Sequence, residues 1–301
     1  MESRERVAFL GLGIMGWPMA ANLARAGFDL GVWTRTAEKA SRFAAEHAAT
    51  AASTPAEAAA GAAVAITMVV DAPEVEEVLL GEGGAAETLE AGTLSIDMST
   101  IAPTAARTIA GGLRQRGIDF LDAPVTGSRP RAEDGTLTIM VGGERTAFER
   151  ALPLLEAMGR LIVRIGPTGH GAMAKVIANT LTAINAAALG EALVMVRRAG
   201  VDPDRFLEVA RAGSSGSTVL ELKAEPMLRG DFEPLFKLEH MLKDLRHCLA
   251  EARALGIDLR LAEVAERLYA AAAADGHAEH DFAAVVTAAG PDKCRPSRNR
   301  A

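Results

Sequence analysis

The chain has 301 residues, with 32 Lys or Arg against 39 Asp or Glu, so its formal net charge is -7. This acidic balance argues against a protein that binds nucleic acid through a basic surface. Hydrophobic residues make up 49% of the chain and charged residues 24%, which is typical of folded globular proteins. No uninterrupted apolar run reaches the roughly 18 residues of a membrane span. We therefore expect no membrane partner and a cytoplasmic location.

The cysteines and histidines form no recognisable disulfide or metal-binding pattern. Cys248 and Cys294 are too few for a disulfide framework. His277 and His280 lie in a polar stretch, but a metal site needs about three or four rigidly held ligands. We predict no metal site, and a polar turn at these two histidines.

The first part of the chain alternates between short β-prone runs and longer helical stretches. The predicted strands cover residues 6–10, 28–33, 64–69, 93–96, 119–121, 137–141 and 161–165. The predicted helices between them include residues 14–26, 37–47 and 104–116. Such alternation specifies a mostly parallel sheet with helices on both faces. We expect a doubly wound α/β domain of the Rossmann type over residues 1–165.

After residue 166 the β-prone runs disappear, and the sequence becomes rich in Ala, Leu and Glu. The predicted helices cover residues 169–199, 203–212, 218–229, 234–255, 260–275 and 282–289. The polar, basic segment 291–301 is expected to fray. We therefore expect an all-α C-terminal domain over residues 166–301.

A glycine-rich turn follows the first predicted strand and leads into the first helix. Gly11 allows a tight turn, Gly13 lets a pyrophosphate approach the backbone, and Gly16 allows close packing of the helix on the strand. The helix start adds N–H groups that favour phosphates. This context predicts a nicotinamide cofactor, with a flavin or a purely structural turn as alternatives. The cofactor-binding candidates of the turn are Gly11, Leu12, Gly13, Ile14, Met15 and Gly16.

The end of the second predicted strand indicates which nicotinamide cofactor is bound. NAD-selective proteins usually place a carboxylate there to hold the ribose hydroxyls. This chain has Thr34, Arg35 and Thr36 instead, and the strand's one carboxylate, Asp29, lies near its start. A guanidinium flanked by hydroxyls suits a 2′-phosphate, so we predict NADP, with NAD as the alternative. Arg35 can otherwise be a solvated loop residue.

Lys175 and Asn179 are four residues apart near the start of the long predicted helix, so they share one face of it. A lysine there can give a proton to a carbonyl oxygen that receives hydride, and the asparagine amide can orient the same oxygen. The alternative is a surface lysine beside an asparagine with an intrahelical hydrogen bond. His170, five residues before Lys175, is expected to be structural.

Four motifs along the chain resemble those of the β-hydroxyacid dehydrogenase family, which includes 3-hydroxyisobutyrate dehydrogenases and semialdehyde reductases. They lie at residues 11–16, 120–143, 169–179 and 243–245. The resemblance implies a fold like that of 6-phosphogluconate dehydrogenase, with the active site in the cleft between the two domains. It also implies hydride transfer between NADP(H) and a small carboxylate-bearing substrate, a β-hydroxyacid or its semialdehyde, by a homodimer or homotetramer.

The resemblance also implies roles for individual residues. The segment 169–179 looks like the family's catalytic segment, which makes Lys175 and Asn179 the catalytic candidates. Thr126, Gly127 and Ser128 would hold the substrate carboxylate, although Ser-Gly-Gly is common in the family at this place. The remaining cofactor-side candidates are Val69 and Val70 near the adenosine, Ser99 or Thr100 near the nicotinamide ribose, and Lys243, with Asp244 as its candidate ion-pair partner.

Two arginines after the substrate loop, Arg129 and Arg131, are unusual where small residues are frequent in the family. The stretch 129–135 leans toward the semialdehyde and glyoxylate reductase branch, and either arginine can pair with a second substrate anion or be solvated. Imine reductases share the architecture but commonly lack a lysine at the catalytic position. A catalytically silent dinucleotide-binding protein is the other alternative. Lys175 argues against an imine reductase, and Lys175 together with Asn179 argues against a catalytically silent protein.

Overall fold

A computed structural model describes residues 5–289 of the chain. Cys294 and the segment 291–301, for which fraying is predicted, lie outside the described residues. The chain divides into two compact units, the first ending at Lys175 and the second beginning at Val176. The predicted domain boundary after residue 165 falls at the end of the strand Gly159–Gly166.

Nine strands form one sheet in the described part of the first unit. They are β1 (Arg6–Leu10), β2 (Asp29–Trp33), β3 (Thr50–Ala51), β4 (Val64–Thr67), β5 (Leu94–Asp97), β6 (Asp119–Asp122), β7 (Val125–Thr126), β8 (Leu137–Gly142) and β9 (Gly159–Gly166). Their order is β3-β2-β1-β4-β5-β6-β8-β7, and β9 pairs with β8. The pairs are parallel except for those of β8 with β6 and with β7. The predicted mostly parallel sheet is confirmed.

Helices of the first unit connect these strands and pack on the sheet. They are α1 (Gly16–Ala26), α2 (Ala37–His47), α3 (Pro55–Ala59), α4 (Ala72–Leu80), α5 (Pro103–Arg114), α6 (Ser128–Glu133) and α7 (Arg145–Met158). Val7 and Phe9 of β1 belong to one hydrophobic cluster, whereas Ala8 and Leu10 belong to another. Because successive side chains of a strand point to opposite faces, β1 is covered on both sides, as a doubly wound sheet requires.

The strand order reverses at β1, which fixes where a ligand can bind. The chain runs from β1 to β2 and β3 on one side and then continues with β4 on the other. In open α/β sheets, ligands bind beyond the carboxyl ends of the strands at such a reversal. The turn at residues 11–16 leaves β1 at this point, since β1 pairs with both β2 and β4.

The described part of the second unit is helical, as predicted. The division between the units falls within α8 (His170–Arg198), which is followed by α9 (Pro203–Ala212), α10 (Thr218–Arg229), α11 (Leu238–Ala254) and α12 (Arg260–Ala272). A π-helical turn (Ala273–His277) and a 3₁₀-helix (Phe282–Ala288) complete this part. Most of its buried apolar side chains belong to one cluster, which includes the fully buried Tyr269.

A buried aspartate explains why α11 begins at Leu238, later than the predicted start at residue 234. Asp281 Oδ2 accepts hydrogen bonds from the backbone amides of residues 235 (3.1 Å) and 236 (3.2 Å). Its Oδ1 accepts from Lys223 Nζ at 2.8 Å and from the Ala283 amide at 3.0 Å. Residues 235 and 236 are thereby held outside the helix. One carboxylate joins α10, the segment before α11 and the 3₁₀-helix.

Among the described helices, α8 is long and apolar enough to cross a membrane by length and composition alone. Half of its most apolar stretch is buried inside the protein. Core helices of globular proteins also meet this criterion, so the helix is weak support for a membrane span.

Candidate active site

The glycine turn after β1 has the geometry that close approach of a phosphate requires. Gly11 has a φ of 111°, and a Cβ there would lie 2.3 Å from the carbonyl oxygen of Met68. A Cβ on Gly16 would lie 1.9 Å from the Gly11 carbonyl oxygen. By contrast, no heavy atom lies within 4 Å of a Cβ built on Gly13. Only glycine fits at positions 11 and 16, whereas the backbone at position 13 faces open space.

The first turn of α1 supplies backbone donors beside this space. Met15, the residue before the helix, makes no capping hydrogen bond with its side chain, and the first turn carries no acidic residue. The free amides of a helix start and the helix dipole favour an anion there. Leu12 is fully buried, and Ile14 is half exposed. The residues of the turn therefore fit the pyrophosphate of a dinucleotide.

The segment after β2 lies directly beside the glycine turn. The Gly11 amide donates a 2.8 Å hydrogen bond to the carbonyl oxygen of Trp33, the last residue of β2. Thr34 is partly buried, and Arg35 and Thr36 are exposed. No acidic residue within 5–289 forms an ion pair with Arg35. The sheet thus brings an exposed cation to the edge where the turn lies.

A hydrogen-bonded network joins the ends of β4 and β5. Asp97 Oδ1 accepts from Thr67 Oγ1 at 2.7 Å and from the Ser99 amide at 3.2 Å. The Ser99 hydroxyl in turn accepts from the Val69 amide at 3.0 Å. Val69 and Thr100 are partly buried, whereas 42% of Val70 is exposed. The network fixes the two segments that carry the adenosine-side and ribose-side candidates.

Asp97 is a residue of this region that sequence reasoning missed. Burial raises its pKa from 3.8 to about 6, the hydrogen bonds from Thr67 and Ser99 oppose the shift, and repulsion by Asp122 adds to it. Its Oδ2 has no hydrogen-bond partner among the described residues. The one signal in the sequence was an acidic residue at the end of a β-prone run, followed by the polar Ser99 and Thr100.

The substrate-loop candidates form a strained turn between β7 and α6. Gly127 has a φ of 138°, and a Cβ there would lie 2.7 Å from Arg131 Cβ. Ser128 has a φ of 56°, a left-handed conformation that is uncommon for residues other than glycine. Thr126 is exposed and pairs in register with Thr138 of β8. Ser128 therefore takes a glycine-like conformation where the family commonly has glycine.

The two arginines of α6 differ in their contacts. Arg129 Nε lies 2.7 Å from Glu133 Oε1, one turn along the helix surface. The stem of Arg131 lies against Gly127 of the substrate loop, and no acidic residue in the described part of the chain pairs with its guanidinium. Arg129 is thus paired on the helix surface, whereas Arg131 has no acidic partner in the described part of the chain.

Lys175 and Asn179 are buried, with 7% of each residue exposed. Both lie on α8, one turn apart, as predicted. Their burial argues against the alternative of a solvated surface pair. His170, by contrast, is exposed at the first position of the helix.

Asp244 of α11 joins two candidates within the second unit. Its Oδ2 accepts a 2.6 Å hydrogen bond from Asn179 Nδ2. Lys243 Nζ lies 2.9 Å from Asp244 Oδ1, so the expected ion pair is present. Sequence reasoning missed the bond to Asn179, which lies 65 residues earlier. One fully buried carboxylate thus holds both the amide and the ammonium group.

Asp122 is a second residue to which sequence reasoning gave no role. It ends β6, and its two carboxylate oxygens accept hydrogen bonds from the Gly169 amide (2.7 Å) and the Ala172 amide (2.8 Å). Burial raises the pKa of Asp122, and these backbone bonds oppose the shift. Its position at the end of a predicted strand, inside the motif at 120–143, was the available signal.

The candidates fall into two groups. The first unit holds the cofactor-side candidates at 11–16, 34–36, 69–70 and 100, the substrate loop at 126–128, and Lys175. The second unit holds Asn179 and Lys243. No group of three or more His, Cys, Asp or Glu within residues 5–289 could hold a metal ion.

Comparison with known proteins identifies the class. Residues 6–166 match the family model described as the NAD binding domain of 6-phosphogluconate dehydrogenase. Residues 169–289 match the model described as the NAD-binding domain of NADP-dependent 3-hydroxyisobutyrate dehydrogenase. Together with the open glycine turn at the strand reversal, these matches define an NAD(P)-dependent oxidoreductase with a Rossmann-type domain followed by a helical domain.

Similar proteins narrow the class to one family. The 2-hydroxy-3-oxopropionate reductase of Escherichia coli K12 is 38% identical over 285 residues, covering 94% of this chain and 96% of that protein. The NAD-dependent L-serine dehydrogenase of Pseudomonas aeruginosa is 38% identical, with coverage of 93% and 96%. A solved structure of Mycobacterium tuberculosis 3-hydroxyisobutyrate dehydrogenase with L-serine has a TM-score of 0.86 at 34% identity, covering 94% of this chain and 98% of that one. The chain belongs to the β-hydroxyacid dehydrogenase family, whose reaction is hydride transfer between NAD(P)(H) and a small hydroxyacid or its semialdehyde.

Proposed function

We propose that the chain interconverts a short β-hydroxyacid and its semialdehyde with NADP(H), and that Lys175 moves the proton. The observation that carries this proposal is the burial of Lys175 on α8, one turn before the buried Asn179. Lysine is among the residues least often buried, so a lysine with 7% of its surface exposed is a candidate for a specific role. Proton transfer at a reacting oxygen is the role that we propose.

Reduction of a carbonyl to an alcohol needs one hydride and one proton, so a single proton donor on the protein is sufficient. The bound cofactor supplies or accepts the hydride at the carbonyl carbon. Lys175 gives a proton from Nζ to the carbonyl oxygen during reduction, and takes it back from the hydroxyl during oxidation. Asn179 orients the same oxygen, and its own amide plane is fixed by donation to Asp244. Lys243 pairs with Asp244, and a cofactor-side role for it is proposed on the family resemblance.

The loop Thr126, Gly127 and Ser128 is proposed to hold the substrate carboxylate. Backbone amides at a turn with two successive positive φ values, 138° and 56°, can converge on an anion. The similarity to a 2-hydroxy-3-oxopropionate reductase supports a small acid whose aldehyde is separated from its carboxylate by one carbon. L-Serine is a β-hydroxyacid too, and the two relatives associated with it support its inclusion among the substrates to be tested.

NADP is proposed as the preferred cofactor because Arg35 is exposed beside the glycine turn and has no acidic partner within residues 5–289. The turn residues at 11–16 would hold the pyrophosphate, Thr34 and Thr36 would support Arg35 at the 2′-phosphate, and Val69, Val70 and Thr100 would line the adenosine and ribose. One relative is named as NAD-dependent, so the preference must be measured.

The experiment is an NADPH-oxidation screen against glyoxylate, succinic semialdehyde, methylmalonate semialdehyde, tartronate semialdehyde and cyclic imines, followed by variants of Lys175. Lys175→Ala should lose about 10² to 10⁴ in kcat while NADPH binding stays nearly intact. Lys175→Arg should fail similarly, because a guanidinium does not release its proton near neutral pH. Activity on imines alone, or a Lys175→Ala kcat above about a tenth of wild type, would overturn the proposal.

A homodimer or homotetramer in the cytoplasm belongs to the same proposal. The second unit exposes large apolar side chains that a partner subunit would cover, which are Leu181, Met195, Val209, Leu222 and Leu261. Light scattering at micromolar concentration should give at least twice the chain mass of 31.4 kDa. A 31.4 kDa species under these conditions would contradict the oligomer.

A further inference from the structure

The start of α8 is bound by a carboxylate from a distant part of the chain. Asp122 accepts from the Gly169 amide through Oδ1 and from the Ala172 amide through Oδ2, 47 and 50 residues later in the sequence. These are amide groups that a helix start leaves without an intrahelical partner. An aspartate usually caps a helix from the adjoining residue, so a cap from a central strand ties the helix to the sheet.

Glycines around this carboxylate hold the helix start against the strands. A Cβ on Gly171 would lie 2.4 Å from the Met140 carbonyl oxygen and 2.6 Å from the Asp122 carbonyl oxygen. A Cβ on Gly142 would lie 2.6 Å from both carboxylate oxygens of Asp122. Any larger residue at either position would push α8 away from β6 and β8. The close backbone packing and the carboxylate bonds therefore act on the same turn of α8.

Both oxygens of the Asp122 carboxylate are required. Each accepts from a different amide, so an isosteric asparagine would turn one N–H group toward another N–H group. Because the group is buried, a mismatched donor there has no water to replace its partner.

We propose that Asp122 is a positioning residue for Lys175. Ala172, which binds Oδ2, precedes Lys175 by less than one helical turn, so the position of the ammonium group follows from that of the anchored turn. The inference rests on the proposed proton-transfer role of Lys175. A displacement of about 1 Å in a reacting group can cost about 10² in rate, which makes such an anchor consequential.

The experiment is a double-mutant cycle of Asp122→Asn and Lys175→Ala, with NADPH affinity and amide hydrogen exchange measured for each protein. Asp122→Asn should lower kcat by about 10-fold or more, leave the NADPH Kd within about twofold, and speed exchange in the first turn of α8. In the Lys175→Ala background the same change should alter kcat by less than about twofold, because an effect that passes through Lys175 is already lost.

Asp202→Asn is the matched control. Asp202 caps α9 with one carboxylate oxygen, which accepts from the amides of Asp204 (2.9 Å) and Arg205 (3.3 Å). Because an asparagine keeps one acceptor oxygen, this variant should retain the cap, lose little stability and keep kcat within about twofold of wild type.

Each outcome of the cycle has a defined meaning. If Asp122→Asn lowers kcat by the same factor in the wild-type and the Lys175→Ala backgrounds, its role is merely structural and the inference is overturned. An unchanged kcat when Asp122→Asn is made in the wild-type protein also overturns the inference. An unimpaired Lys175→Ala would instead overturn the proposed function, and the inference with it. If Asp122→Asn does not fold, Asp122→Ser removes the carboxylate without placing an amide group against the two N–H donors, and it enters the same cycle with the same criteria.

Discussion

Two buried aspartates, Asp281 of the helical unit and Asp97 of the sheet unit, differ in how their charge is compensated. Both oxygens of Asp281 in the helical unit accept hydrogen bonds, and one donor is the ammonium of Lys223, itself 6% exposed. Asp97 in the sheet unit accepts through one oxygen, and its Oδ2 has no partner among the described residues. The first aspartate holds three segments together, whereas the second keeps an elevated pKa.

The same contrast extends to other groups of the sheet unit. Arg35 is exposed without an acidic partner in the described part of the chain, the start of α1 has no side-chain cap, and Ser128 takes a left-handed conformation. Unused bonding capacity and local strain concentrate where a small molecule is bound. We therefore expect the polar groups of the Asp281 cluster to serve stability, and we propose that those of the turn and loop regions serve ligand binding.

The largest expected effect is on the Asp281 cluster. Lys223→Met removes the cation and leaves a buried carboxylate with backbone donors alone, so the free energy of unfolding should fall by about 3 kcal/mol. Lys237→Met is the control, because its ion pairs with Glu239 and Glu279 are more exposed, and it should cost less than about 1 kcal/mol. Urea unfolding measures both. Equal costs would show that burial does not distinguish the two lysines.

The next effect concerns Asp97 and depends on pH. Its pKa of about 6 lies above the usual 3.8, so the folded state binds a proton more tightly than the unfolded chain does. Its contribution to stability therefore falls as pH rises from about 4 to above 6, by about 3 kcal/mol in total, and recovers as pH falls. Asp97→Asn cannot titrate and should gain stability relative to wild type across this window.

Urea unfolding of both proteins at several pH values between 4 and 7 gives the difference, which cancels the titration of Asp122 and other shared groups. A constant difference over this range would show that Asp97 does not titrate there.

Removing the Arg35 guanidinium should alter cofactor choice and leave stability unchanged. Arg35→Asp loses the guanidinium and adds a repulsive carboxylate, so the NADP to NAD ratio of kcat/KM should fall at least about tenfold, or about 1.4 kcal/mol. Arg205→Asp makes the same charge change at an exposed position on α9 and should leave the ratio unchanged. If both variants behave alike, Arg35 points to solvent.

The smallest effect is expected at Ser128. Glycine adopts a φ of 56° without steric cost, so Ser128→Gly should raise the free energy of unfolding by about 0.5 kcal/mol. The same variant should raise KM for the acid substrate, because the hydroxyl is lost from the loop. Thermal unfolding and steady-state kinetics test the two halves separately. A loss of stability would contradict the strain assigned to Ser128.

Much of the fold could be predicted because it follows from local patterns. The bounds of β1, α2, α9 and α10 are those predicted from alternation and capping residues. The two-residue strands β3 and β7 were missed because they are too short for a periodic pattern, and α11 starts late because Asp281 holds residues that lie more than 40 positions earlier.

The candidate site also contains features that a local motif predicts and contacts that no local motif predicts. The glycine turn and the Lys175 to Asn179 spacing were readable because each lies within one local motif. The ion pair of Lys243 with Asp244 was expected from adjacency, but the bond between Asn179 and Asp244 spans 65 residues. Contacts of that range depend on how whole elements pack, which no local pattern of one sequence specifies.

The hydrogen bonds of Asp122 also bear on how the protein can be dissected. A fragment that ends at the predicted boundary, residue 165, keeps every strand except the last residue of β9, yet it lacks Gly169 and Ala172. The buried carboxylate of β6 would lose both donors, at about 1–3 kcal/mol each. We expect such a fragment to be poorly folded, whereas one extended past residue 172 retains the cap. We therefore expect the sheet unit to fold on its own only when it carries the first turn of the helix that follows it.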